Sequence, residues 1–150
     1  MHHNLHRVLT LCVLVACSTC RSQSIESARP RVIELTADKD SRYRQARRVS
    51  PTIEARAGEP LILRIMVLRG REVARDGSVH GLALLDKNSN VVPGWKFFFH
   101  PGIQELNVTA PLQPGRYTAV CTVICSDGHE GMTFTVLVTE PGAISKVQTQ

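Results

Sequence analysis

The chain has 150 residues, of which 43% are hydrophobic and 21% are charged. This length and composition suit one domain with its own apolar core and leave little room for a second. The net charge of +5 favours an acidic partner or an anionic membrane surface. The sequence has no basic helix, zinc-finger spacing or aromatic RNA-binding platform, so we expect no nucleic-acid partner.

The N-terminal region is typical of an exported bacterial lipoprotein. Residues 8–16 form an apolar run behind a basic, histidine-rich leader, and this run is too short to cross a bilayer. It ends in Leu-Val-Ala before Cys17, which resembles the lipobox at which the cysteine receives the lipid. We therefore predict a signal peptide at residues 1–16, lipidation of Cys17, and a lipid-anchored domain facing the periplasm or otherwise outside the cytoplasmic membrane. An ordinary signal peptide cleaved near Ala16, or a short anchor that contains Cys17, is the alternative.

The rest of the chain reads as a tether, one β-domain and a short tail. Residues 17–30 are polar and aperiodic, which predicts a lipidated cysteine followed by a flexible tether. Residues 31–140 break into short runs rich in Val, Ile, Leu and Thr, separated by Pro-Gly and similar turns. The predicted strands are 32–37, 52–57, 61–68, 79–85, 104–109, 116–120 and 132–138. About seven strands without an amphipathic helix indicate an all-β sandwich, and residues 141–150 form a C-terminal tail.

Residues 38–50 interrupt this pattern. They contain Arg42, Arg44, Arg47 and Arg48 around Tyr43 and have no apolar periodicity. We predict an exposed basic loop, with a short helix as the alternative. If the loop faces a diffusing redox partner, that partner is expected to be acidic.

Four potential metal ligands lie within twelve residues, between two predicted strands. Cys121, Cys125, His129 and Met132 stand at offsets 0, 4, 8 and 11. Two thiols, an imidazole and a thioether select copper, because zinc rarely takes methionine and hard cations require carboxylates. Taken separately, the two cysteines could form a disulfide, His129 could be a solvated loop residue and Met132 could belong to the core. A metal site explains all four together.

The spacing Cys-x3-Cys-x3-His-x2-Met resembles the CuA loop of cytochrome c oxidase subunit II and of nitrous oxide reductase, and it matches at every ligand position. The strand, Pro-Gly turn and strand that lead from Pro101 to Cys121 are also similar to subunit II, as is the segment around His80. The resemblance covers about residues 31–140. It implies a cupredoxin-like Greek-key β-sandwich with a binuclear centre of two copper ions.

The resemblance also implies a ligand set and excludes a second metal. The implied ligands are the bridging thiolates of Cys121 and Cys125, the imidazoles of His80 and His129, the thioether of Met132 and the backbone carbonyl of Val123. In the oxidase family that carbonyl often belongs to a glutamate that also contacts magnesium. Because this chain has valine there, we expect no magnesium site.

Two features outside the loop have competing interpretations. His80 is the favoured upstream ligand because its segment resembles that of subunit II and Gly81 beside it allows close backbone approach. His100 is the alternative imidazole, or else an outer-sphere or surface group. Trp95 and residues 97–99 form an aromatic cluster that we expect to pack in the core, and an exposed member would offer an electron-entry surface.

These observations support electron transfer more than catalysis. The sequence does not contain a nucleophile, a base and an oxyanion-binding group in a recognisable arrangement, so we expect the chain to have no catalytic site of its own. The chain would be an unusual subunit II at the electron entry of a cytochrome c oxidase, or a free-standing donor that meets a cytochrome c or a haem-copper oxidase. The alternative is a copper chaperone or oxidase-assembly protein that delivers copper. A third interpretation, an adhesion-like sandwich with a Cys121–Cys125 disulfide, leaves His129 and Met132 unexplained.

Overall fold

Ten strands form the fold in the computed structural model, which describes residues 29–141. The predicted signal peptide, Cys17, most of the predicted tether and nearly all of the predicted C-terminal tail lie outside the described residues. The strands are β1 (Arg31–Ala37), β2 (Tyr43–Gln45), β3 (Arg48–Val49), β4 (Thr52–Arg56), β5 (Pro60–Val67), β6 (His80–Leu85), β7 (Val91–Phe99), β8 (Gly102–Thr109), β9 (Gly115–Val120) and β10 (Thr133–Thr139). The one helical element described is a short 3₁₀ turn, η1 (His129–Gly131).

Alternating apolar residues explain why these segments form a two-layered sandwich. In β10, Phe134, Val136 and Val138 are buried while the intervening residues are partly exposed, as the alternation predicts. Side chains of this kind contribute about 1.5–3 kcal/mol each when fully buried. The same pattern in β1 and β5 supplies the opposing layer of the core.

The two sheets contain five strands each, in the orders β3-β2-β1-β5-β8 and β4-β10-β9-β6-β7. β1 runs parallel to β5 and β4 parallel to β10, whereas the other neighbouring pairs are antiparallel. The middle of the second sheet is therefore made of β10, β9 and β6. The predicted all-β sandwich is confirmed. No helix among residues 29–141 is long and apolar enough to span a membrane.

The prediction of a loop at residues 38–50 is wrong, although three of the four arginines in this segment are exposed. This segment forms the β2–β3 hairpin at the edge of the first sheet. Tyr43 is completely buried and its ring meets Phe134 edge to face at 5.1 Å, so an aromatic anchor overrides the polar composition around it. Arg44 pairs with Asp38 and is only partly exposed.

The sequence does not predict one further strand, β7, because it contains Pro93-Gly94, a pair that is typical of a turn. β7 is an edge strand of the second sheet, where a proline can be accommodated because one side of the strand is unpaired. Gly94 has a φ of +79°, and glycine adopts this conformation without the penalty of a side chain. The turn before β7 is instead built by Asp86, whose carboxylate accepts hydrogen bonds from the N–H groups of Asn88 and Asn90.

Candidate metal centre

Three neighbouring strands bring the sequence-predicted loop and His80 to one end of the second sheet. His80 is the first residue of β6, Cys121 directly follows β9, and Met132 directly precedes β10. The N–H of Cys121 donates to the carbonyl of Met132 at 3.0 Å, which closes the base of the loop. Because β6 and β10 both pair with β9, their positions at this end are set by the sheet.

His80, Cys121 and Cys125 form a compact group of potential metal ligands. One ligand atom from each lies within 4.8 Å of the others. His80 and Cys125 are 0% exposed and Cys121 is 9% exposed. Both cysteines are free thiols, and their sulfurs are 3.9 Å apart, far beyond a disulfide bond of about 2.05 Å. The group therefore presents two separate sulfur donors and one imidazole.

The hydrogen bonding of His80 fits a metal ligand. Nε2 lies 3.0 Å from the carbonyl of Leu68, and because a carbonyl only accepts, Nε2 carries the proton. Nδ1 is then a lone-pair donor, and it is buried with no hydrogen-bond partner. Metal-binding histidines commonly donate their other N–H to a carbonyl, which fixes the tautomer and the ring orientation. An imidazole that has one buried, unpartnered nitrogen and is grouped with two thiols is thus arranged as for a metal.

The two thiols differ in their surroundings and in their acidity. Cys121 Sγ accepts from the N–H of Gly81 at 3.4 Å and donates to the carbonyl of Val123 at 3.3 Å. Its hydrogen bond with Cys125, together with burial, raises the pKa of Cys121. The same bond is the main cause that lowers the pKa of Cys125; burial opposes this effect, and the nearby His80 imidazole and Ser41 hydroxyl reinforce it. A metal ion binds the ionised form of both thiols, so metal binding would release their protons.

The remaining predicted ligands of the loop lie around this group but are not all part of it. The carbonyl of Val123 is at the sulfur of Cys121. Met132 is fully buried at the end of η1. His129 is half-buried and its Nδ1 lies 3.1 Å from the carbonyl of Ser126. The structure thus does not bring a ligand atom of His129 into the group of His80 and the two cysteines.

Two glycines allow the backbone to pass close to the site. A Cβ on Gly81 would lie 2.3 Å from Thr122 Oγ1 and 3.2 Å from the carbonyl of Phe97. A Cβ on Gly70 would lie 3.0 Å from the carbonyl of Cys125. A side chain at either position would force neighbouring atoms to move. Both positions therefore favour glycine because other parts of the chain pass close to them, and not because of their backbone conformation.

His100 and most of the aromatic cluster lie apart from the ligand group. His100 Nε2 is 3.0 Å from the carbonyl of Asp76, on the surface. Trp95 and Phe99 are buried in the core, and the indole N–H donates to the carbonyl of Thr109 at 2.8 Å. Phe98 is 49% exposed and contributes to a groove of about 550 Å³ next to Val123.

Several groups around the site were not identified from the sequence. The Tyr43 hydroxyl donates to the carbonyl of Gly81, and the Ser41 hydroxyl lies 3.3 Å from Cys125 Sγ. Both lie in residues 38–50, for which the sequence predicts an exposed loop. No local signal distinguishes such residues, because their contacts span 38 and 84 positions of the sequence.

Comparisons with known proteins support the fold. No family model and no curated protein matches the chain. Among solved structures, a copper-containing nitrite reductase (NirK) from Thermus scotoductus SA-01 aligns with a TM-score of 0.50 and 18% identity, over 75% of this chain and 23% of that chain. The chain has a cupredoxin-like fold.

Two further structures align slightly less well. Rusticyanin from Thiobacillus ferrooxidans has a TM-score of 0.48 and 15% identity, over 74% of this chain and 79% of that chain. A chain of a heme-copper terminal oxidase dimer has a TM-score of 0.48 and 18% identity, over 86% of this chain and 78% of that chain. At these identities, similarity extends to the fold alone, so a functional argument depends on the residues of the site.

Proposed function

We propose that this protein is an electron-transfer protein with a binuclear copper centre of the CuA type. The observation that carries the proposal is the buried, unpartnered Nδ1 of His80 in a group with the free thiols of Cys121 and Cys125. The ligands of the centre would be His80, Cys121, Val123 through its carbonyl, Cys125, His129 and Met132. His129 joins this set either through Nε2 or by leaving the carbonyl of Ser126.

The chemistry of the donor set favours copper. Thiolate and imidazole donors beside a thioether suit copper, whereas zinc sites rarely include methionine. When bound, copper supplies a one-electron redox couple. The protein contributes two sulfurs that can share the change in charge, an imidazole held by Leu68, and a buried environment that excludes water. One thiolate would suffice for a mononuclear blue-copper site, so the second sulfur points to two metal ions.

Burial also bears on the alternative of copper delivery. A protein that passes its metal to a partner must expose ligands for exchange. Here His80, Cys125 and Met132 have no accessible surface, and Cys121 is 9% exposed. The site is built for retention of the metal, which favours electron transfer over delivery.

The number of bound metal ions and the sharing of the unpaired electron test the proposal. The reduced full-length chain is loaded with copper, excess metal is removed, and copper per chain and the electron paramagnetic resonance spectrum are measured. We expect two coppers per chain and a mixed-valence signal, and we expect Cys125→Ser to abolish that signal. Cys20→Ser, which removes a thiol outside the loop, is the matched control. One labile copper in the wild type would favour delivery, and an unchanged spectrum in Cys125→Ser would refute the site.

The proposal places the protein in the bacterial cell envelope, anchored by lipid on Cys17 with the copper domain in the periplasm. The apolar run at residues 8–16 that ends at Cys17 supports it. Cys17→Ala should abolish labelling by a radioactive fatty acid, while Cys20→Ala should not. Equal labelling of the Cys17 variant and the wild type would contradict the anchor.

The redox partner is expected to be an acidic protein, either a cytochrome c or a component of a haem-copper oxidase. Arg42, Arg47 and Arg48 are exposed on the turn and hairpin that follow β1, and this region touches the site through Ser41. Arg44 is excluded from this role because Asp38 pairs with it. The three remaining cations would attract an acidic partner to the surface formed by this turn and hairpin, of which the turn at Ser41 adjoins Cys125.

A further inference from the structure

The turn between β1 and β2 is held in place by a buried carboxylate. Asp38 is 6% exposed, and its Oδ1 accepts from the N–H groups of Asp40 and Arg42, each at 2.9 Å. Its Oδ2 pairs with Arg44. These bonds fix the path of the chain across residues 38–44, so the position of Ser41 is determined by the turn.

Ser41 occupies an unusual conformation within this turn. It is 1% exposed and has a φ of +57°, a left-handed region that residues other than glycine adopt uncommonly. Such conformations are unfavourable and persist where the surroundings require them. Here the conformation places the hydroxyl of Ser41 3.3 Å from Cys125 Sγ and 2.6 Å from Ser126 Oγ.

The neighbouring bonds determine which way the Ser41 hydroxyl points. The N–H of Gly128 donates to Ser126 Oγ at 3.1 Å. Metal binding requires Cys125 as a thiolate, which can only accept, so the Ser41 hydroxyl then donates to its sulfur. Because the single proton of Ser41 is used in this bond, Ser126 is the donor in the bond between the two hydroxyls. The result is a serine chain, defined as Gly128 N–H to Ser126 to Ser41 to Cys125, in which each bond polarises the next.

We propose that Ser41 is a positioning residue that donates a hydrogen bond to the Cys125 sulfur and raises the reduction potential of the bound copper. This inference rests on the proposed copper centre. A donor on a thiolate withdraws electron density from the metal and favours its reduced state, and hydrogen bonding around a cysteine ligand tunes the potential of copper sites. Cys121 receives the backbone N–H of Gly81 instead. The two sulfurs are thus unequal, and a side chain sets the contribution of only one of them.

Substitution of Ser41 by glycine removes the donor without straining the backbone. Glycine adopts a positive φ freely, so Ser41→Gly should fold and bind the same amount of copper as the wild type. We expect its reduction potential to shift to a lower value and its sulfur-to-copper absorption band to move. Ser126→Ala should shift the potential in the same direction but less, because it removes only the group that polarises Ser41. Because Ser126 is partly exposed, we expect the Ser126→Ala protein to fold.

Ser89→Gly is the matched control. Ser89 is also a left-handed serine, with a φ of +63°, but it is exposed in the turn between β6 and β7. Its replacement relieves the same conformation away from the copper ligands and should leave the potential unchanged.

The measurement is a redox titration of the copper-loaded full-length variants, followed by absorption. An unchanged potential in Ser41→Gly with full copper content would overturn the inference and leave the copper centre intact. Loss of copper from Ser41→Gly alone would assign Ser41 to holding the loop and would also overturn it. Absence of copper from every protein, wild type included, would refute the proposed function and the inference with it.

Discussion

Replacing His80 with leucine separates the cost of this imidazole in the metal-free protein from its use in metal binding. Nδ1 is buried without a partner, and an unsatisfied buried acceptor costs about 1–3 kcal/mol. The change also removes the bond to the Leu68 carbonyl, which contributes about 0.5–1.5 kcal/mol. In the absence of metal, the free energy of unfolding of His80→Leu should therefore lie between about 0.5 kcal/mol below and about 2.5 kcal/mol above that of the wild type. Most substitutions of buried residues, in contrast, lower the free energy of unfolding.

Copper should stabilise the wild type against unfolding and leave His80→Leu unchanged. A ligand present at 100 times its dissociation constant raises the free energy of unfolding by about 2.7 kcal/mol, and this gain should appear in the wild type but not in His80→Leu. The assay is urea unfolding of the reduced full-length chain, with chelator and then with copper. His100→Leu, which changes a surface imidazole, is the control and should respond to copper like the wild type. A metal-free loss of more than about 2 kcal/mol in His80→Leu, or an undiminished copper response, would refute this account of Nδ1.

Three other variants test the site and the approach of a redox partner to it. Met132→Leu should retain two coppers and alter the potential, because the thioether is a weak ligand; loss of copper would contradict this. Gly81→Ala should lower the free energy of unfolding by about 1–3 kcal/mol in urea, since its Cβ would lie 2.3 Å from the nearest side chain, and an unchanged stability would refute the close approach. In stopped-flow reduction by an acidic cytochrome, replacing Arg47 and Arg48 with glutamine should slow the reaction at low salt and reduce its salt dependence. Arg116→Gln, at the opposite end of β9, should not; faster reduction by a basic cytochrome would contradict an acidic partner.

The sequence predicts the central strands because their signal is local. The alternation in β10 is a property of seven consecutive residues, and the burial of Phe134, Val136 and Val138 follows from it. The ligand loop is equally local, since it fills the connection between β9 and β10. The strands on either side of the loop are therefore confirmed, whereas the ligands within the loop stay a prediction.

Prediction failed where distant contacts decide the structure. Tyr43 lies among arginines, yet its ring packs on Phe134 and its hydroxyl reaches Gly81. Ser41 has no feature in the sequence that marks it as a neighbour of Cys125, 84 residues away. The charge of residues 38–50 therefore predicts that the segment is exposed, although Ser41 and Tyr43 are buried beside the site. The position of His129 outside the ligand group was also not expected from its spacing.

The element that carries each proposed ligand determines how far that ligand can move. His80, Cys121 and Met132 adjoin three neighbouring strands, and the ends of β9 and β10 are joined by the bond from Cys121 to Met132. Cys125 is held from the other sheet by Ser41 and through its carbonyl by the N–H of Glu72. His129 alone stands on the short η1 turn, half-exposed. Metal binding at the proposed centre would therefore require movement chiefly at His129, and the other groups would stay where the two sheets place them. A site in which the sulfurs and one imidazole are fixed before the metal binds has little rearrangement left for a change of one electron, which is the property that electron transfer requires and copper delivery does not.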